Sequence, residues 1–131
     1  MNPDLSAVAL YTGLNTLILI ALSIHVGRVR SQEKVFMGDG GNRRVIRAMR
    51  GQANFVEHAP LALLILLVMA LSAAPAWAIH VLGIMLTAGR AMHAAHFIAD
   101  DAPVWQRAGG ALLTLLVLLI GGAGLILHAL V

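Results

Sequence analysis

The sequence predicts an all-α integral membrane protein, a bundle of four transmembrane helices, on three observations. Of its 131 residues, 60% are hydrophobic and only 11% charged, against roughly 45–50% and 25% in ordinary soluble domains. Four apolar stretches, at about residues 5–26, 43–72, 76–99 and 103–131, each reach the roughly 20 residues that a helix needs to cross a bilayer. The polar residues of the second stretch recur at intervals of three and four, which is a helical period. These stretches use nearly the whole chain, so residues 1–131 read as one membrane domain.

The first helix is expected from about Leu5 to Val26. It is not a secretory signal, because Asp4 precedes it where a positive segment belongs and Arg28, Arg30 and Lys34 follow it where a cleavage site belongs. The absence of cysteine removes disulfides, thiolate ligands and any sulfur nucleophile of the protein's own. The segment Gly38-Asp39-Gly40-Gly41 has a turn composition. It lacks the Lys-Ser/Thr of a phosphate-binding loop and follows no strand. Asn42 then suits the N-cap of a second helix.

That second helix is expected from Arg43 to about Ala70, polar in its first half and apolar in its second, with Pro60 inside it freeing the carbonyl near Val56. Ser72 and Pro75 mark a short uncharged turn, and Trp77 suits a membrane interface. The third helix follows to about Ile98, and Asp100, Asp101 and Pro103 announce the fourth. Gly83 and Gly89 on the third helix, with Gly109, Gly110, Gly121, Gly122 and Gly124 on the fourth, are a packing signal. Small residues let helices approach closely in lipid.

Net charge is +3, yet the bases do not suggest nucleic acid. Arg28, Arg30, Lys34, Arg43, Arg44, Arg47 and Arg50 cluster between the first helix and the start of the second, whereas the turn before the third has none. The positive-inside rule therefore places that loop in the cytoplasm and both termini on the opposite side.

Arg43, Arg47, Arg50, Asn54 and Glu57 share one face of the second helix. The outer two arginines fit lipid phosphate at headgroup level. Arg50, Asn54 and Glu57 lie deeper, where ionisable groups are expensive and face a bundle interior or a wet cavity. One reading is an internal ion pair that specifies packing. Gln52 and His58 within the same two turns supply more donors than a single pair needs, which favours a polar ligand. Arg90, His93 and Phe97 form a matching face on the third helix. His93 and His96, with Glu57 or His58, raise the question of a metal, but no supporting pattern of outer ligands accompanies them, and no metal is assigned. His25, His80 and His128 stand alone and read as core or interfacial residues.

The run Arg50-Gly-Gln52-Ala-Asn54-Phe-Val-Glu57-His58-Ala-Pro60-Leu resembles the second-helix signature of the MAPEG family, the membrane-associated proteins of eicosanoid and glutathione metabolism. The likeness covers nearly the whole chain, and the Gly-Asp-Gly-Gly loop with the Arg-x-Met-His element at Arg90 is most similar to the small bacterial branch. It implies a homotrimer in the bacterial inner membrane that binds glutathione as co-substrate between subunits, near the cytoplasmic end. Arg50, Gln52, Asn54 and Glu57 match glutathione-contacting positions, and Arg28 matches a further one. His58, Arg90 and His93 belong to the same implied pocket, although His58, His93 and Phe97 stand where relatives carry tyrosines. Arg107 matches the arginine that holds the thiolate.

Glutathione carries two carboxylates, an ammonium and a thiol, so its pocket calls for arginines, an acid and neutral amides. The stripe contains all three. A neighbouring arginine favours thiolate over thiol, each pKa unit being worth about 1.4 kcal/mol, and the bilayer delivers lipophilic electrophiles or peroxides laterally. The expected function is a glutathione transferase or peroxidase acting on lipophilic small molecules. A non-enzymatic protein binding lipid headgroups through the stripe is the alternative, and transport or proton relay through the histidines is a third.

Overall fold

The computed structural model describes residues 3–130 and contains four helices, α1 (Pro3–Glu33), α2 (Arg43–Leu71), α3 (Ala76–Ile98) and α4 (Val104–Leu130). All four are long and apolar enough to cross a membrane. The last three begin and end within a residue or two of expectation. α1 differs, since it continues seven residues past Val26, about two further turns, so the stretch carrying Arg28 and Arg30 is helix and not loop. Gly27 is a poor helix former but does not end the helix, because Val26 and Val29 give it a buried face against Val45 and Ala48 of α2.

The connection is correspondingly short and tightly made. Lys34 adopts a left-handed φ of 56° while the Val35 amide donates back to the Arg30 carbonyl at 3.0 Å, closing the end of α1. Gly38, Gly40 and Gly41 all have positive φ, which an L side chain resists. The turn therefore needs its glycines. Arg30 donates to the carbonyls of Val35 and Gly38 at 3.1 and 2.7 Å. Asn42 caps α2 as expected, its side chain accepting from the amides of Arg44 and Val45 at 2.9 and 3.2 Å. It also donates to Glu33, and Arg44 pairs with the same carboxylate.

α2 runs through Pro60 without interruption. Its C-terminus repeats the closure used by α1, with Ala73 at φ 54° and the Ala74 amide on the Met69 carbonyl at 3.0 Å. Pro75 then opens α3.

α3 packs against each of the other helices, and α2 does the same, whereas α1 and α4 make no close backbone approach to one another. α1 and α4 thus lie on opposite sides of the packed α2–α3 pair. The bundle's larger core, with Tyr11, Leu66, Ile79, Leu82, Leu86 and Val117, fills the half near the α2–α3 turn. Leu22, Phe55, Ala59 and Ala94 continue it toward the other end.

Two glycine contacts set the helix spacing. A Cβ at Gly83 would lie 2.2 Å from the Tyr11 ring, and one at Gly110 would lie 2.5 Å from the Gly89 carbonyl oxygen. Lipid offers little hydrophobic drive for helix association, so such close approach carries much of the packing. At Gly122 and Gly124 an added Cβ meets nothing within 4 Å, so these two glycines set no helix spacing inside the chain.

Candidate functional site

Arg90 is 1% exposed, held inside the bundle between α2 and α4. Its guanidinium donates through Nη1 to Asn54 Oδ1 at 3.0 Å and through Nη2 to the Gly110 carbonyl at 3.3 Å, while Nε is buried without a partner. Both acceptors are neutral. A guanidinium in such surroundings is usually matched by an anion, because its desolvation is otherwise uncompensated.

Asn54 is the hinge between this buried group and the surface of α2. Its carbonyl accepts from Nδ1 of His58 at 2.9 Å, one turn along the helix. A carbonyl only accepts, so the His58 Nδ1 carries the hydrogen, and the neutral ring keeps Nε2 as an acceptor. Arg50, Asn54 and Glu57 fall within about 60° of one another around the axis, with Arg50 and Glu57 turned outward and exposed. No hydrogen bond or ion pair engages Arg50 or Glu57 among the described residues, where the single ion pair is Arg44 with Glu33. The internal Arg50–Glu57 pair entertained from the sequence is therefore absent within the chain.

Arg47 corrects a second expectation. Instead of reaching only for lipid phosphate, it donates to the carbonyls of His96 and Ala99 at 2.6 and 3.2 Å and sits 5.5 Å from the Phe97 ring centroid. It thereby fixes the C-terminal end of α3, where free carbonyls and the helix dipole favour a cation. Phe97 stacks at a tilt on His93, 4.9 Å between centroids, and His93 is buried. Gly51 makes room for this arrangement, since a Cβ there would lie 2.7 Å from that of Phe97. His96 in turn bonds through Nδ1 to the Pro103 carbonyl at 3.1 Å, tying the α3–α4 connection to the site.

The structure thus joins Asn54, His58, Arg90 and His93 along the α2–α3 seam, with Arg50 and Glu57 on its outer lip. Of the other expected residues, Gln52 and Arg28 lie elsewhere within the chain, whereas Arg107 is close enough to His93 for its charge to act on that ring. Gln52 projects about 200° round from Arg50 and donates to Ser23 of α1 at 2.9 Å. Arg28 on the extension of α1 and Arg107 in the first turn of α4 are exposed, with no hydrogen-bonding partner among the described residues. No group of three or more His, Asp or Glu side chains among the described residues is arranged to hold a metal ion.

A polar cluster at the other end escaped the sequence reading. Tyr11 bonds through its hydroxyl to Nδ1 of His80 at 2.9 Å, so His80 does not stand alone. The fully buried Asn15 donates to the Tyr11 carbonyl at 2.9 Å and to Thr87 at 3.0 Å. The four-residue interval from Tyr11 to Asn15 was the available signal.

The sequence model of the MAPEG family matches residues 8–127. Over 85 residues the chain is 42% identical to "Inner membrane protein YecN" of Escherichia coli strain K12, the match covering 65% of each chain. The protein of the same name from Escherichia coli O6:H1 matches to the same extent. The chain spans 65% of the length of these curated relatives. No solved structure matches it.

Proposed function

The chain belongs to the MAPEG family, and from that premise we propose that it binds glutathione at the outer lip of the α2–α3 seam and transfers it to, or uses it to reduce, lipophilic electrophiles or peroxides. The observation that carries this reading is the outward presentation of Arg50 and Glu57, neither engaged among the described residues, beside an Asn54 anchored by a buried Arg90. Charged groups at that depth are not left to face lipid. A ligand with two carboxylates and one ammonium satisfies Arg50 and Glu57 together. The reading includes a homotrimer, in which a neighbouring subunit would close the lip from outside.

In this reading Arg50 serves a carboxylate of the ligand and Glu57 its ammonium, while the buried Arg90 acts through Asn54, whose side chain it holds. His58, with its Nδ1 committed to the Asn54 carbonyl, offers Nε2 as an acceptor. Arg107 takes the thiolate role, on the family resemblance together with its free position at the start of α4. The thiolate is the nucleophile, since the chain has no cysteine. Isothermal titration of the detergent-solubilised protein with glutathione tests the reading directly. Saturable heat at one site per subunit or per subunit interface supports it, and no heat at millimolar glutathione overturns it.

We place the protein in the bacterial inner membrane, with the α1–α2 loop cytoplasmic and both termini periplasmic. The extension of α1 leaves the charge argument in place, because Arg28 and Arg30 at its end, Lys34 in the connection, and Arg43 and Arg44 at the start of α2 still share one end of the bundle. A reporter fused after Val131 should be active only in its periplasmic form. Activity of a cytoplasmic reporter at that position would reverse the orientation.

A further inference from the structure

Of the imidazoles on the α2–α3 seam, His93 and His96 are buried and His58 is half-exposed. The Nδ1 hydrogen of His58 is committed to the Asn54 carbonyl at 2.9 Å, and no other hydrogen bond engages the ring among the described residues. That single bond fixes the tautomer and leaves a lone pair on Nε2. Round the helix axis His58 lies about 40° from Asn54 and about 80° from Arg50, on the side of the lip. Arg107 approaches the same place from α4. Its charge and that of His58 both act on His93, and Gly110, one turn after Arg107, lies against the His93 backbone.

We propose that His58 is the general base of this site, receiving the thiol proton of glutathione on Nε2 in a conjugate addition to an unsaturated carbonyl compound; the proposal rests on the glutathione reading above. A thiol with the ordinary pKa of about 8.5 is mostly protonated at neutral pH. Arginine stabilises the thiolate but has no lone pair to take the proton. Glu57 serves the ligand ammonium, and His93 is buried beneath Phe97 and the backbone of α4. His58 is the acceptor that remains. An imidazole beside a thiol gives the thiolate–imidazolium pair that activates sulfur nucleophiles, and here the ligand brings the sulfur and the chain the ring. The S–H bond breaks, its electron pair stays on sulfur, and its proton forms the N–H at Nε2. Sulfur then bonds to the β-carbon while the alkene pair moves toward the carbonyl oxygen. The Nε2 proton passes to the α-carbon and the neutral ring returns, with no leaving group and no redox partner.

Calorimetric titration in two buffers of different ionisation heat counts the protons that binding sends to solvent. S-methylglutathione, which lacks only the thiol hydrogen, supplies the baseline. The wild type should show the ultraviolet band of a bound thiolate and, relative to that baseline, release no proton. His58→Asn keeps a side-chain donor for the Asn54 carbonyl but has no basic nitrogen. It should still bind S-methylglutathione, should lose the band or release a proton for every thiolate formed, and should conjugate an unsaturated ketone roughly 10²–10⁴-fold more slowly. Added imidazole should restore conjugation to His58→Ala. Release of a proton for every thiolate by the wild type would overturn the proposal, even where both variants fail to fold, and so would glutathione binding with no thiolate band. Either result leaves the glutathione reading in place. Loss of the band in Glu57→Gln but not in His58→Asn would move the base to Glu57 and overturn the proposal as well. Absence of any glutathione binding would overturn both readings together.

Discussion

Arg50→Ala is expected to weaken glutathione binding about ten- to over a hundredfold, the equivalent of roughly 1.5–3 kcal/mol for a lost hydrogen bond to a charged group. Arg44→Ala removes the same charge six residues away and should leave affinity nearly unchanged. The difference is geometric. Arg44 is paired with Glu33 on the protrusion of α1 and α2, whereas Arg50 faces outward beside Asn54 and Glu57 with no partner among the described residues. Glu57→Gln keeps the shape of the lip but removes its acid, and should lose affinity through the ligand ammonium. Thermal unfolding separates binding from packing, because a ligand that binds only the folded state stabilises it by an amount set by its concentration over Kd. Glutathione should raise the Tm of the wild type and of Arg44→Ala, and fail to raise that of Arg50→Ala or Glu57→Gln, while native mass spectrometry still finds trimers. Equal affinity in Arg50→Ala, Arg44→Ala and wild type would remove the site as drawn.

Gly110→Ala should destabilise the bundle by about 1–3 kcal/mol or more, the usual cost of overpacking, even though alanine is the better helix former. The new Cβ would fall 2.5 Å from the Gly89 carbonyl oxygen and 2.8 Å from the His93 amide nitrogen. Both are backbone atoms, which cannot swing aside, so α3 and α4 must separate. Gly122→Ala, on the same helix with open space around it, should be neutral or gain the roughly 0.5–1 kcal/mol by which alanine exceeds glycine in a helix. The comparison also reaches the ligand site. Gly110 supplies the carbonyl that accepts from Arg90 Nη2, so separation of the helices loosens Arg90 and should reduce glutathione affinity in parallel with Tm. Equal melting of the two alanine variants would show that the Gly89–Gly110 approach does not govern stability.

The four spans, the Asn42 cap, the glycine turn after α1 and the clustering of bases were legible because each depends on local sequence. Apolar length, turn chemistry and helical spacing act over a few residues and need no knowledge of neighbours. The end of α1 was less legible for a tertiary reason, because composition marks where the apolar run stops and not where packing does. Val26 and Val29 keep the helix going by burying against Val45 and Ala48 of α2.

The polar stripe divides in the same way. Its spacing showed that Arg47, Arg50, Asn54 and Glu57 share a face of α2, and that much needed only the helical period. Which of them looks inward depended on where α3 lies. Asn54 meets Arg90, and Arg47 meets the last carbonyls of α3, while Arg50 and Glu57, on the same face, look out. Gln52 shares the signature in sequence, and within the chain the third dimension sends it to Ser23 of α1. A periodicity reports an angle about one axis, whereas a contact requires a second helix at a definite distance. That distance is set where Gly89 meets Gly110 and where Gly51 admits Phe97, and no reading of one helix at a time contains it.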